Sequence, residues 1–373
     1  MTKLANEIKL HLADPYVTSD DIMAVAKAIR AKHLSQGEFV QEFEKKFAKR
    51  IGVRHAAALC NGTAALHSAL SAINVRPNDE VIVPSFSFIA TANAVLYLGA
   101  KPVFVDIDPK TYNVDSGEIR KKITDKTKAI IVVHYAGQPA DMDAINELAE
   151  DRDIFVVEDA AEAHGALYKG KRAGSLGDLA CFSFYPNKNM TTGEGGMVTT
   201  DSKALIGKIR MIRSHGQDGR YHHVMLGYNY RMTDFQAALG IVQLKRLNWV
   251  IREKAEAAEY YNQKINEIFG AKIEPPYVAP FSTHVYMFYS VRFKTKNMRD
   301  KAIVSLKKKG IETAVAFPPI HLQPLYKKLF GYKAGLLTVT EKVSETILSL
   351  PIYPHIRRRE QDQVISALKG ALQ

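Results

Sequence analysis

The stretch Phe182-Ser183-Phe184-Tyr185-Pro186-Asn187-Lys188-Asn189-Met190-Thr191-Thr192-Gly193-Glu194-Gly195-Gly196 begins as an apolar strand and ends in a glycine cluster. Between the two, Pro186 stops the strand and a lysine follows at once. The glycines then let the chain turn tightly into a second strand at 197–200. A lone loop lysine is ordinarily solvated. Buried among phosphate and carbonyl partners it becomes a nucleophile, because desolvation lowers its pKa. What Lys188 means therefore depends on what the rest of the chain brings beside it.

Outward from this stretch, the first 240 residues alternate short apolar runs with helical patterns. Strands are predicted at 80–83, 102–105, 129–133, 154–157 and 180–184, with amphipathic stretches such as 91–98 and 142–150 between them. Val- and Ile-rich strands separated by helices predict a parallel sheet covered on both faces. A long helical pattern runs over 234–269, with Leu239, Val242, Leu247, Val250 and Ile251 on its apolar side. A strand at 285–293, a segment containing Pro318, Pro319 and Pro324, and a final helix near 361–372 follow. The expected fold is α/β: a large domain over 1–245 with a mostly parallel sheet flanked by helices, and a smaller C-terminal α+β domain over 246–373. At roughly 100–200 residues per domain, two domains suit a chain of 373 residues.

The 46% apolar and 24% charged residues are those of a folded globular chain. Lys and Arg outnumber Asp and Glu by 51 to 39, a net charge of +12. Such an excess favours nucleic acid, an anionic membrane surface or a phosphorylated substrate. The densest basic runs, Lys307-Lys308-Lys309 and Arg357-Arg358-Arg359, have no interleaved aromatics and read as solvated faces. Cys60 and Cys181 make no disulfide framework, which points to a reducing cytoplasm. From Met1 onward there is no signal-peptide pattern, and no apolar run approaches the roughly 20 residues needed to span a bilayer. A cytoplasmic protein without membrane, nucleic-acid or metal partners is the expectation.

In open parallel sheets, ligands sit outside the carboxyl ends of the strands, and further polar clusters fall there. Asn61-Gly62-Thr63 opens a helix, as either an ordinary cap or an anion site. Val156-Val157-Glu158-Asp159 is an apolar strand ending in two acids, which must point to opposite faces. One acid can enter a site, to meet a metal, a ribose or a cationic ring nitrogen; a helix cap is the bland alternative. Pro84-Ser85-Phe86-Ser87-Phe88 follows a strand, with Phe86 expected in the core. Gly227-Tyr228-Asn229-Tyr230-Arg231-Met232 precedes the long helix, either capping it or reaching a partner subunit. Gly193-Glu194-Gly195 lacks the third glycine of a dinucleotide fingerprint, and there is neither a P-loop nor a His-Glu-x-x-His pair.

Together these clusters, with Gly37-x-x-Val40-x-x-Phe43-Glu44, His321-Leu322-Gln323-Pro324 and Leu350-Pro351, resemble the DegT/StrS family of nucleotide-sugar aminotransferases over nearly the whole chain. That family belongs to the aspartate-aminotransferase superfamily, fold type I. The resemblance implies pyridoxal 5'-phosphate as cofactor and a ping-pong transfer from glutamate or glutamine to a keto sugar nucleotide. It implies Lys188 as the Schiff-base lysine and proton carrier, and Asp159 as the acid on the pyridine nitrogen. Gly62, Thr63 and Ser183 would cup the phosphate and Phe88 would stack on the ring. Asn229 would reach the phosphate from a neighbouring subunit, in a homodimer with shared active sites. Glu162 stands where many relatives carry Gln or His, near the cofactor's phenolic oxygen, so it should be protonated or turned away. Glu at this place resembles the GDP-perosamine synthase branch, which hints at a 4-keto-6-deoxy sugar. His321 is expected as a substrate contact. Amination of a cyclitol or other non-nucleotide ketone is the alternative. A regulatory or nucleic-acid-binding protein that keeps the fold without catalysis is a further one, opposed by Lys188, Asp159 and Ser183.

Overall fold

The computed structural model describes residues 8–32 and 34–372. The first seven positions of the stretch read for a leader peptide lie outside the described residues. Seven strands form one sheet: β1 (His55–Leu59), β2 (Glu80–Pro84), β3 (Lys101–Val105), β4 (Thr127–Val133), β5 (Phe155–Asp159), β6 (Leu179–Ser183) and β7 (Gly196–Thr200). Their order across the sheet is β1-β7-β6-β5-β4-β2-β3. Four of its six strand pairings are parallel and two are antiparallel. β2, β3, β4, β5 and β6 pair in parallel, whereas β7 runs antiparallel to both β1 and β6. The reversal follows from the glycine cluster, which returns the chain beside the strand it has just left.

Ala, Val and Ile fill both faces of the sheet and the helices that cover it. Ile131, Val157 and Val198 pack on one side with the helix Gly62–Ala72, while Ile82, Ile130 and Val132 pack on the other with the helix Met142–Glu150. Burying each such side chain is worth roughly 1.5–3 kcal/mol, so the layers hold the sheet edge in a fixed place. A third cluster, with Phe43, Phe47, Phe182 and Phe184 meeting edge-on or tilted, packs under the Lys188 loop.

The helix Asp234–Phe269 spans 36 residues and opens on a capping box between Thr233 and Gln236. Its buried side departs from the apolar pattern. Leu247 and Val250 are buried, but Leu239, Val242 and Ile251 are only half-buried, and the polar Gln243 and Lys254 take core positions. Gln243 is tolerated there because its Nε2 donates to Tyr16 O and Asp21 Oδ1, both at 3.0 Å. The 245/246 division falls inside this helix. Beyond it, β8 (Ile273–Glu274), β9 (Tyr289–Phe293) and β10 (Ile347–Leu350) form a small antiparallel sheet, in that order. A separate core joins it to the distal half of the long helix and to the helix Arg358–Leu372. The strand expected over 285–293 starts four residues late. Val285 and Met287 instead donate to Gly137 O and Ala136 O, stitching this segment to the loop after β4. Segments are also traded: Leu10 lies in the second core, while Ile320, Tyr326 and Leu337 lie in the first. Among the described residues no helix is long and apolar enough to cross a membrane.

Candidate active site

Because β1, β2, β4, β5 and β6 all point the same way, their carboxyl ends open onto one edge of the sheet. A cavity of about 470 Å³ lies there. Gly62, Thr63, Phe88, Asp159, Glu162, Ser183 and Lys188 all line it. Seven of the nine residues singled out in the sequence thus converge on one space, within the size range of a cofactor pocket.

Glu158 and Asp159 part as the strand alternation requires. Glu158 turns away and is held by the backbone N–H groups of Gly174, Leu176 and Gly177 and by His134 Nε2. Asp159 enters the cavity. Its Oδ2 accepts from Thr91 Oγ1 at 2.7 Å, and Ala161 N donates to its Oδ1 at 3.3 Å. Burial pushes the Asp159 carboxyl up, and the bonds from Thr91 and Ala161 and the charge of Lys188 pull against it. Among the described residues it has no ion-pair partner.

Lys188 follows β6 by five residues, its N–H donating to Tyr185 O at 2.9 Å. The side chain is 13% exposed, and Nζ lies 3.8 Å from Glu162 Oε1. Glu162 is not turned away: its Oε2 accepts from Ala136 N at 2.7 Å. Burial raises its pKa, with the positive charge of Lys188 opposing, so burial favours the protonated form here.

At the other end, the helix Gly62–Ala72 points its N-terminus at the cavity. Asn61 Oδ1 caps it by accepting from Ala64 N at 2.8 Å. A Cβ on Gly62 would lie 2.8 Å from the Cβ of Ser183, and one on Gly196 would lie 2.2 Å from Asn61 O. Two glycines therefore let three chain segments close into a cradle of backbone N–H groups and one hydroxyl.

Two expected residues are elsewhere. Asn229 is exposed, bridged to Ser214 outside this cavity. His321, expected as a substrate contact, is fully buried off the wall. Its Nδ1 meets Ser85 Oγ at 2.7 Å and its Nε2 meets Glu341 Oε1 at 3.1 Å, so both nitrogens are occupied in fixing the turn after β2. The sequence also left wall residues unnamed. Thr91 follows the quoted Ser85–Phe88 stretch and could have been found as its polar continuation; Phe288 and Phe317 come from the C-terminal region, and no local signal marks them.

A model of the DegT/DnrJ/EryC1/StrS aminotransferase family matches residues 15–369. The chain belongs to this family. The aminotransferase is 45% identical over 342 residues, 91% of either chain, to the GDP-perosamine synthase of Caulobacter vibrioides. It is 39% identical over 334 residues to the UDP-2-acetamido-2-deoxy-3-oxo-D-glucuronate aminotransferase of Pseudomonas aeruginosa, covering 89% of this chain and 90% of that one. Among solved structures it is similar to S. venezuelae DesV in complex with a ketimine intermediate, with a TM-score of 0.90, 35% identity and 95% of each chain covered. The expected fold type I architecture holds.

The enzyme uses pyridoxal phosphate, and the residues present fit that group. The helix N-terminus beside Ser183, with no room for a side chain at Gly62, suits a phosphate. The buried Asp159 carboxylate without a cation suits a protonated ring nitrogen. The Lys188 amine lies within the same cavity, in reach of an aldehyde.

Proposed function

We propose that this aminotransferase moves an amino group from glutamate or glutamine to the keto group of a sugar nucleotide, in two half-reactions at one site. The observation that carries the reading is the convergence of the Lys188 amine, the Asp159 carboxylate and the Gly62 cradle on one cavity. When bound, the cofactor supplies an aldehyde and an electron-accepting ring. Lys188 contributes the amine that holds it and carries the proton at the substrate carbon. Asp159, oriented by Thr91, keeps the ring nitrogen protonated. Gly62, Thr63 and Ser183 bind the phosphate, and Phe88 covers one ring face. Glu162, whose carboxyl burial pushes up, would face the phenolic oxygen, and with the GDP-perosamine synthase relative it favours a 4-keto-6-deoxy sugar as acceptor. The +12 charge suits a diphosphate.

We assign Asn229 to the phosphate of a second copy's site, in a cytoplasmic homodimer. Its exposure supports this, as do Tyr221 and Leu226, each 78% exposed just before it. The deciding experiment presents GDP-, UDP- and TDP-linked keto sugars and a cyclitol ketone to the loaded enzyme with glutamate and, separately, glutamine. Amination of a nucleotide-linked ketone is expected; turnover of the free cyclitol ketone alone would replace the acceptor class. Lys188→Ala should retain the cofactor and lose roughly a thousandfold in turnover. Full turnover in that variant would remove Lys188 from the mechanism.

A further inference from the structure

Behind the lysine loop, on the side away from the cavity, a second lysine is buried. Lys254 lies on the helix Asp234–Phe269, is 3% exposed and has no carboxylate within ion-pair distance among the described residues. Its Nζ donates to Asn189 Oδ1 at 2.8 Å and, more weakly, to Met287 O at 3.4 Å. Asn189 adjoins Lys188 in the chain, is itself 4% exposed, and donates from Nδ2 to Val285 O at 2.9 Å. Its amide is thus gripped at both ends, by the long helix and by the segment leading into β9.

Burying an ammonium without a counter-ion is costly. A leucine or methionine would fill the same space without that cost, and hydrophobic repacking of buried charges is often neutral or stabilising. Burial, with the positive charge of Lys188 next in effect, pushes Lys254 down to about 7. Residues retained against such a cost are concentrated at functional sites.

We infer that Lys254 is a positioning residue for Lys188, acting through Asn189: the Lys254–Asn189–Val285 chain of hydrogen bonds fixes the backbone from which the Lys188 amine reaches the cavity. The inference rests on the role proposed for Lys188 above. Neither Lys254 nor Asn189 lines the cavity. The chain of bonds also joins the lysine loop to two elements of the C-terminal region, so the amine is set from both halves of the molecule.

The test uses the full-length apoenzyme and pyridoxal phosphate. Capture is followed by visible absorbance, then fixed with borohydride and located by peptide mass. Lys254→Met, Asn189→Ala and the double variant are compared with the parent, with kcat, KM and thermal midpoint measured on each. A displaced amine costs up to about a hundredfold, so capture rate and kcat should each fall about 10–100-fold in either single variant, with KM within about twofold. The double variant should lose no more than the worse single one, because both break one chain of bonds. Capture and kcat equal to the parent would overturn the inference, as would losses that multiply in the double variant. A lower midpoint with unchanged kcat per bound cofactor would do the same, since it marks a purely structural role. If Lys254→Met does not fold, Asn189→Ala decides on the same readouts. Should borohydride label no Lys188 peptide in the parent itself, it is the reading of Lys188 that fails; a labelled parent with unaffected variants refutes only the role of Lys254.

Discussion

At Glu162, burial favours the protonated carboxyl while Lys188 Nζ at 3.8 Å favours the carboxylate, and burial is the larger effect. A carboxyl whose pKa is raised on folding holds its proton longer in the native state than in the unfolded chain. Its contribution to stability is present below about pH 4.5 and lost as pH rises through the folded value. Glu162→Gln keeps an acceptor for Ala136 N without that loss. Its thermal midpoint should exceed the parent's by about 2 °C at neutral pH and by less in acid, with turnover retained within about tenfold. Lys254 works in the opposite sense. The unfolded lysine takes its proton near 10.5 and the folded one near 7. Between these values the unfolded chain binds more protons, so stability rises with pH by up to roughly 1.4 kcal/mol per unit. The groups facing its amine are Lys188, Asn189 and His284, with Asp14 and Tyr353 lining the same small cavity. Denaturant midpoints of Lys254→Met and parent should therefore converge as pH is raised from 7 toward 10.5; parallel curves would show that folding does not lower Lys254.

Among the elements, the helix Gly62–Ala72 depends on a missing side chain. In an ordinary helical position Gly→Ala stabilises by up to about 1 kcal/mol. At Gly62 the added carbon meets Ser183 Cβ at 2.8 Å, and overpacking of that kind costs about 1–3 kcal/mol. The clash wins, so Gly62→Ala should lower the midpoint and weaken cofactor retention about tenfold on dialysis; a rise in midpoint with full retention would show that the helix start has room. Elements of this kind were legible in sequence because chemistry and chain direction coincide there. A strand that ends in Glu158-Asp159, or a glycine run after Lys188, signals its own geometry. The core places of Gln243 and Lys254 on the long helix were not legible, since these side chains find their partners only after distant segments pack. Phe288 and Phe317 escaped for the same reason.

For the whole molecule, the decisive question is where Asn229 acts. If it completes a second copy's site, a mixture of Lys188→Ala and Asn229→Ala subunits regains activity, because each hybrid dimer contains one site with an intact lysine and an intact asparagine. Random exchange should restore about a quarter of parental activity. No recovery above the Asn229→Ala homodimer would return the residue to its own chain. The sequence indicated the parallel sheet and the separate C-terminal sheet, but not the traded segments at Leu10 and at Ile320, Tyr326 and Leu337. Such exchanges carry no local periodicity, so only the folded contacts reveal them.

The antiparallel seating of β7 beside β6 has one more effect. The lysine segment leaves one strand and re-enters the sheet on its immediate neighbour, with Ser183 paired to Gly196, so it is tethered at both ends to the same rigid floor. The segments that leave β2, β4 and β5 on the same edge instead pass through helices or turns to the opposite edge, where the next parallel strand begins. Descendants of this chain can therefore lengthen or reshape those segments to admit new acceptors, while the spacer of four residues between Ser183 and Lys188 stays unaltered. Diversity of substrate and constancy of the amine come from opposite kinds of loop on a single edge.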